Sequence, residues 1–267
     1  MTGKVDLYNT AYGNYSADVY REIRLETYGQ DFGQTSWVTT EESNEIPRAL
    51  GVRSGANVLE IGCGSGHYTL HVAETTGCRI VAVDINEAGV RNANRLAEAR
   101  SMGSRVRFQP CDVSKTLPFQ DAGFDAAFAN DVLCHVPERL ALLQELTRVL
   151  RPGGKLLFSD ALVIGGMITH QELSTRSSIG LYVFSPPGEN ERLIEQSGFR
   201  LLGASDTTAN AATIAKRWRD ARERRKGELV AVEGEATFCG VQEFLSCVHT
   251  LTSERRLLRY LYLAEKP

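Results

Sequence analysis

The sequence predicts an α/β fold, a mostly parallel sheet wound with helices on both faces. Two observations carry this. From Asn57 to Asp160 short apolar runs alternate with amphipathic stretches, as in strand–helix units joined by right-handed crossovers. The runs at residues 58–61, 80–83, 106–108, 126–129 and 155–159 are nearly continuous in Val, Ile, Leu, Phe and Ala, without polar alternation. Strands covered on both faces read this way.

The stretches between the runs, at residues 68–74, 87–101 and 138–150, read as helices. In the last, Leu142, Leu146, Val149 and Leu150 recur at helical spacing, and Arg151-Pro152-Gly153-Gly154 stops it. Residues 1–48 read as one or two helices broken at Tyr28-Gly29, followed by an irregular stretch at 31–37. After Asp160 come a helix at 164–180, the breaker Ser185-Pro186-Pro187-Gly188, a helix at 189–197 and a strand at 200–204. Residues 207–253 read as two helices separated by Val232-Glu233-Gly234, and 259–264 as a closing strand. The expected division is an N-terminal helical lid (1–48), a core sheet (49–206), a helical insertion (207–253) and the closing strand (254–267).

Composition narrows the function. The 267 residues carry 33 acidic and 30 basic side chains, a formal charge of −3, so bulk charge gives no reason to expect nucleic acid or an anionic membrane as partner. No apolar stretch approaches the roughly 20 residues that cross a bilayer, and the N-terminus has no secretory h-region. The six cysteines form no Cys-x-x-Cys pair and several lie in apolar runs, which argues against a disulfide framework or a zinc site. A reduced, cytoplasmic, metal-independent protein is the expectation.

The chemistry is carried by Glu60-Ile61-Gly62-Cys63-Gly64-Ser65-Gly66, a glycine-rich turn after a buried strand and before a helix. Glycines serve where the backbone takes positive φ or a ligand must approach the main chain. About twenty residues on, the second strand ends at Asp84, placed to accept both hydroxyls of a ribose. A nucleoside cofactor follows. The Gly62-x-Gly64-x-Gly66 spacing is tighter than that of a dinucleotide loop, and Glu60 sits beside it. Two like charges about 4 Å apart cost on the order of 4 kcal/mol at an effective dielectric of about 20. That carboxylate therefore disfavours a pyrophosphate and favours a ligand bearing positive charge, a condition that S-adenosyl-L-methionine meets with its ammonium and sulfonium.

With Cys111-Asp112-Val113 and Leu150-Arg151-Pro152-Gly153-Gly154 added in order, the chain resembles the class I S-adenosylmethionine-dependent methyltransferases of small molecules. The resemblance implies a Rossmann-like, doubly wound, seven-stranded sheet with an antiparallel last strand. It implies that Gly62, Cys63, Gly64 and Gly66, with Glu60, hold the methionine part, that Asp84 holds the ribose, that Ile85 packs on adenine and that Asp112 and Val113 meet its exocyclic edge. Asn130 and Asp131 would lie by the methionine and the substrate mouth. The stretch Tyr28-Gly29-Gln30-Asp31-Phe32-Gly33-Gln34-Thr35-Ser36-Trp37 is similar to one in sarcosine and dimethylglycine N-methyltransferases, which brings Gln34 and Trp37 to the cofactor.

Tyr8, Tyr12, Tyr15 and Tyr20 either pack a helix on the sheet or belong to a lid that excludes water. The similarity to phosphoethanolamine methyltransferases, which use a lid tyrosine and a histidine after the fourth strand, selects His135 and, among the tyrosines, Tyr15 as the catalytic pair. His135 alternatively only starts a helix. The basic run 216–226 reads as a solvated helix face or as a nucleic-acid contact. Tyr182, Phe184, Trp218 and Phe238 are candidates for a substrate pocket or for core. The expected reaction is methyl transfer to nitrogen, or second to oxygen, of a small molecule; an RNA or protein methyltransferase and a non-catalytic cofactor-binding subunit are the rivals.

Overall fold

The structure, a computed structural model, describes residues 7–267; the first six residues of the expected lid lie outside them. The described chain opens with helices α1 (Leu7–Gly13), α2 (Asp18–Tyr28) and α3 (Thr40–Leu50). The break expected at Tyr28-Gly29 is the left-handed C-cap of α2, with Gly29 at φ 78°. A third helix then begins where the Thr39 side chain accepts from the Glu42 amide, a cap that apolar spacing alone does not signal.

The alternating core follows: β1 (Asn57–Ile61), α4 (His67–Thr76), β2 (Arg79–Asp84), α5 (Glu87–Ala99), β3 (Val106–Pro110), β4 (Phe124–Ala129), a single 3₁₀ turn at Leu133–His135, α6 (Arg139–Val149) and β5 (Leu150–Ile164). After it come α7 (His170–Arg176), α8 (Glu189–Gln196), β6 (Arg200–Asp206), α9 (Thr208–Arg224), α10 (Lys226–Glu233), α11 (Glu235–Ser253) and β7 (Leu257–Glu265). The seven strands form one sheet in the order β3-β2-β1-β4-β5-β7-β6. The pairings up to β5 are parallel, and β7 runs antiparallel to both β5 and β6.

Successive residues of the central strands enter opposite faces, and both faces are covered. Val58, Ile80, Ala82, Val106 and Phe108 pack with Leu70, Ala73, Val90 and Ala93 on one side. Leu59, Ile61, Val83 and Ala127 pack with Leu142, Leu143 and Leu146 on the other. Continuous apolar strands are the result. A separate helical cluster joins the two ends of the chain: Leu7, Ala11, Val19 and Ile23 pack with Ile214, Trp218, Val241, Phe244 and Leu245.

Two expectations change. The helix expected at 164–180 starts later and is shorter: β5 runs on to Ile164, which pairs with Leu257, with Ala161, Leu162 and Val163 buried as a continuous run before it. Gly165 and Gly166 then bond the Arg256 carbonyl, and only α7 is helical, started by a Thr169–Glu172 capping box. The insertion holds three helices rather than two, since the chain turns at Arg225 as well as at Gly234.

Five of the seven bases in the basic run form ion pairs within the chain, and Lys216 and Arg224 do so at the surface. Arg224 and Arg225 pair with Glu26 and Glu22 of α2, Arg222 with Glu233, and Lys216 and Arg219 with Asp220. Among the described residues no helix is long and apolar enough to cross a membrane.

Candidate functional site

Strand β1 lies between β2 and β4, where the winding of the sheet reverses direction. The loops leaving the carboxyl ends of these strands diverge there, and open α/β sheets bind ligands in the crevice so formed. A cavity of about 1210 Å³ occupies it, with the glycine loop at one end and a wall of aromatic side chains at the other.

The glycine-loop end is fixed by backbone geometry. Gly64, at φ 52°, would carry a Cβ 2.6 Å from Tyr12 Oη, and its amide donates to Asp84 Oδ2 at 2.8 Å. The other Asp84 oxygen accepts from Asn86 N at 2.7 Å. Asp84 thus clamps the loop to the end of β2, while burial raises its pKa against these two bonds. Gly62, Cys63, Gly64, Ile85, Asp112 and Val113 all line the cavity. Ile85 is 72% exposed, a large apolar surface at the rim. Asp112 accepts from the Ser114 amide and hydroxyl at 3.1 and 2.6 Å, which lowers its pKa.

Gly66 departs from its expected role. It is absent from the lining, and a Cβ there would fall 2.6 Å from Ala93 and 2.7 Å from Phe108. Its lack of a side chain serves the seating of α4 against α5 and β3.

Asp131 departs as well. It borders the cavity, but both carboxylate oxygens are already engaged. Oδ1 accepts from Ser159 Oγ at 2.9 Å and Arg259 Nε at 2.8 Å; Oδ2 accepts from the Trp37 amide at 2.8 Å and Arg259 Nη2 at 3.3 Å. Arg259 also donates to both Glu42 oxygens at 2.7 and 3.0 Å. This fully buried group joins β7, α3 and the turn after β4, so Asp131 is a structural hinge pin under the site. Trp37 is held there by its backbone, and its ring packs with Trp218 and Phe244 at 6.1 Å each.

At the glycine-loop end, three buried polar atoms of cavity-lining residues have no partner among the described residues: Glu60 Oε2, Gln34 Nε2 and Asn130 Oδ1. Each such orphan costs about 1–3 kcal/mol unless a ligand answers it. Burial lifts the Glu60 carboxyl to about 8, with Thr69 opposing and Asp84 adding to the effect. Two orphan acceptors, one a carboxyl that only a cation would fully ionise, and one orphan donor match a ligand with an ammonium and a carboxylate. The residues present therefore fit S-adenosylmethionine, with Asp84 and Ile85 left for its nucleoside.

At the opposite end, Tyr8 Oη lies 3.1 Å from His135 Nε2, and His135 Nδ1 lies 2.9 Å from the Leu181 carbonyl. A carbonyl only accepts, so Nδ1 carries the ring proton and Nε2 accepts from Tyr8. Burial depresses His135 below its ordinary 6.5, partly opposed by the Leu181 bond, and raises Tyr8 well above its ordinary value. The histidine is a neutral base and the tyrosine a neutral phenol at pH 7.

Tyr15 is not the partner of His135. Its hydroxyl bonds His67, the Arg24 guanidinium stacks 4.2 Å over its ring, and it lies outside the cavity lining. Residues 14–17 turn the chain between α1 and α2, so Tyr8 and Tyr12 face the cavity and Tyr15 lies behind Gly33. Of the expected pocket residues, Tyr182 and Trp218 line the cavity; Phe184 and Phe238 pack in satellite and core clusters. Sequence reasoning missed Arg176, whose place in a helical last turn gives no hint of the cavity it borders.

A family model described as a methyltransferase domain matches residues 59–158. The 27-O-demethylrifamycin SV methyltransferase of Amycolatopsis mediterranei is 26% identical, over 94% of this chain and 95% of its own. The O-methyltransferase resE of Aspergillus sclerotiorum is 30% identical, over 68% of this chain and 70% of its own. In fold, the cyclopropane synthase MmaA2 of Mycobacterium tuberculosis gives a TM-score of 0.82 at 16% identity, covering 98% of this chain and 99% of that one. With the glycine loop, the aspartate that ends β2 and the orphaned carboxyl in one crevice, the chain belongs to the class I S-adenosylmethionine-dependent methyltransferases that act on small molecules.

Proposed function

We propose that the methyl acceptor is a hydroxyl oxygen of a small molecule and that Tyr8 and His135 take its proton. When bound, S-adenosylmethionine supplies a methyl group on a sulfonium, open to in-line displacement. Glu60, Gln34 and Asn130 would hold its methionine part, each through the atom that otherwise has no partner. Asp84 retains lone pairs for two hydroxyls after its two backbone bonds, and Ile85 would be covered by adenine. Cys63 and Gly64 supply main chain close to the ligand.

The carrying observation is the Tyr8–His135 hydrogen bond in the same cavity as the glycine loop. The acceptor hydroxyl would donate to Tyr8 Oη while Tyr8 passes its own proton to His135 Nε2, with Nδ1 steadied by the Leu181 carbonyl. Phenolate never accumulates, in keeping with the raised Tyr8 pKa. Alignment of the reactants supplies roughly 7–11 kcal/mol of such a barrier, and a general base typically about 10²–10⁴-fold. Oxygen is favoured over nitrogen by the O-methyltransferase relatives and by Arg176, a buried cation in the acceptor half that repels ammonium groups. A small molecule is favoured over RNA because the basic run is largely engaged in internal ion pairs.

The test is turnover with methyl-labelled cofactor followed by location of the label. His135→Gln should lower kcat about 10²–10⁴-fold, and wild-type kcat/KM for the acceptor, at saturating cofactor, should fall only below pH 6.5, since His135 is depressed from that value. Label on nitrogen, or an unchanged kcat in the variant, rejects the respective half of the reading.

A further inference from the structure

Four arginines are almost wholly buried, and three of them face carboxylates. Arg259 holds Glu42 and Asp131, Arg222 holds Glu233, and Arg139 donates to Asp160 at 2.7 Å. Arg176, only 1% exposed, has no ion pair among the described residues. Its Nε and Nη1 have no hydrogen-bond partner there either. The acid one turn earlier, Glu172, is held by Arg256 at 2.7 and 2.9 Å. Around the Arg176 guanidinium stand the rings of Tyr182, Phe244 and Trp37, at 4.4, 5.1 and 5.8 Å. Cation–π contact recovers part of the lost hydration, and Tyr182 also hydrogen-bonds the guanidinium, but the donors on Nε and Nη1 stay unanswered. A buried, unanswered cation is a standing cost to the fold, and this one borders the cavity beside Ile179, Tyr182 and Trp218.

We propose that Arg176 is a carboxylate-binding site and that the methyl acceptor is an apolar hydroxy acid anchored by its carboxylate. The proposal rests on the hydroxyl-acceptor reading for the second functional group alone. A planar carboxylate matches the guanidinium fork with paired N–H donors. One cation answers one negative charge; a phosphate dianion would remain half-uncompensated in a cavity that also holds Glu60 and Asp84. Trp37, Trp218, Phe244 and Ile179 suit a ring-bearing or long-chain body. The arrangement also selects against cationic acceptors.

Trp37 and Trp218 are the only tryptophans in the chain, and both line the cavity, so intrinsic fluorescence reports directly on occupancy. The full-length protein is titrated with 3-phenylpropanoate, its neutral amide and phenyl phosphate, with calorimetry alongside. The carboxylate is expected to bind roughly 10–100-fold more tightly than the amide, the ratio for a charge-assisted pair. Arg176→Met should abolish that preference, and Arg176→Lys should keep part of it. The Tm of ligand-free Arg176→Met should hold or rise, because an uncompensated charge has been removed. Equal affinity for acid and amide, preference for phenyl phosphate, or a preference surviving in Arg176→Met would overturn the proposal. A Tm collapse in Arg176→Met with Arg176→Lys binding the acid no better than the amide would assign the arginine to the fold. No turnover is measured, so these outcomes are separate from those that test where the methyl goes.

Discussion

The two ends of the cavity are built by opposite strategies. The glycine-loop end comes chiefly from residues 60–130, with Gln34 and Tyr12 reaching in from the N-terminal segment, and its shape is set mainly by main chain: the amides of Gly64 and Asn86 on Asp84, and a turn that admits no Cβ at Gly64. The acceptor end is assembled from α1, the segment before α3, the loop after α7, α9 and α11, regions more than two hundred residues apart, and its shape is set by side chains. A main-chain site of this kind binds one cofactor across many sequences. A side-chain site can be rebuilt without disturbing the sheet, which is how one fold comes to serve many acceptors. What ties the two ends together is the buried Arg259–Asp131–Glu42 group between β7, the turn after β4 and α3.

That tie is where the contrast can be broken most severely. Arg259→Met would leave Asp131 and Glu42 buried without their cation, at a cost of about 3–5 kcal/mol. Denaturant unfolding should report that loss, and the acceptor end should lose order first, through the Trp37 amide held by Asp131. A variant as stable as wild type would mean the three side chains are relaxed by water and do not bind the halves together.

A smaller effect sharpens the contrast at the cofactor end. The Glu60 carboxyl, at about 8 in the ligand-free protein against an ordinary 4.5, keeps its proton in the folded state between those values while the unfolded chain loses it. Its contribution to stability is therefore complete at low pH and declines as pH rises from about 4.5 to about 8. A cationic ligand prefers the ionised form, so binding should expel a proton and affinity should rise about tenfold from pH 7 to a plateau above about pH 9, one pKa unit being about 1.4 kcal/mol. Calorimetry in two buffers of different ionisation heat would detect the proton; Glu60→Gln should flatten the profile. A pH-independent wild-type affinity would show that Glu60 does not meet the positive charge.

The same division explains what the sequence discloses. The sheet is legible because a strand buried on both faces has to be apolar without alternation, as Val58–Leu59 and Ala126–Ala127 are, and the loop is legible because its glycines answer a backbone requirement. Strand β5 runs past the expected 155–159 to Ile164, because the run Ala161-Leu162-Val163, left unassigned by the sequence, has no period to mark it as strand. Gly66 looks like its neighbours in the motif, although its constraint comes from Phe108 and Ala93. Arg176 is illegible for a deeper reason. A missing partner is a property of three-dimensional surroundings, and residues 173–178 look like any polar helix end.

Tyr15 supplies the finest test of the boundary between the ends, since it stands one layer behind the cavity while Tyr8 stands in it. Its hydroxyl bonds His67, whose pKa burial holds at about 4 against the pull of Asp31. Asp31 in turn receives Arg24 at 2.8 and 3.1 Å and the Gly33 amide at 2.8 Å. Tyr15 therefore supports the loop that carries Gln34 without touching what the loop holds. Tyr15→Phe keeps the ring under Arg24 and removes one hydrogen bond, worth about 0.5–1.5 kcal/mol, so Tm should fall by a few degrees while kcat stays within about twofold. Tyr8→Phe should lower Tm by a similar amount, since it too removes one buried hydrogen bond, but it should also cut kcat, because it breaks the path to His135 Nε2. If Tyr15→Phe instead abolishes turnover at unchanged Tm, the proton leaves by way of His67, and the acceptor end extends a layer deeper than its lining.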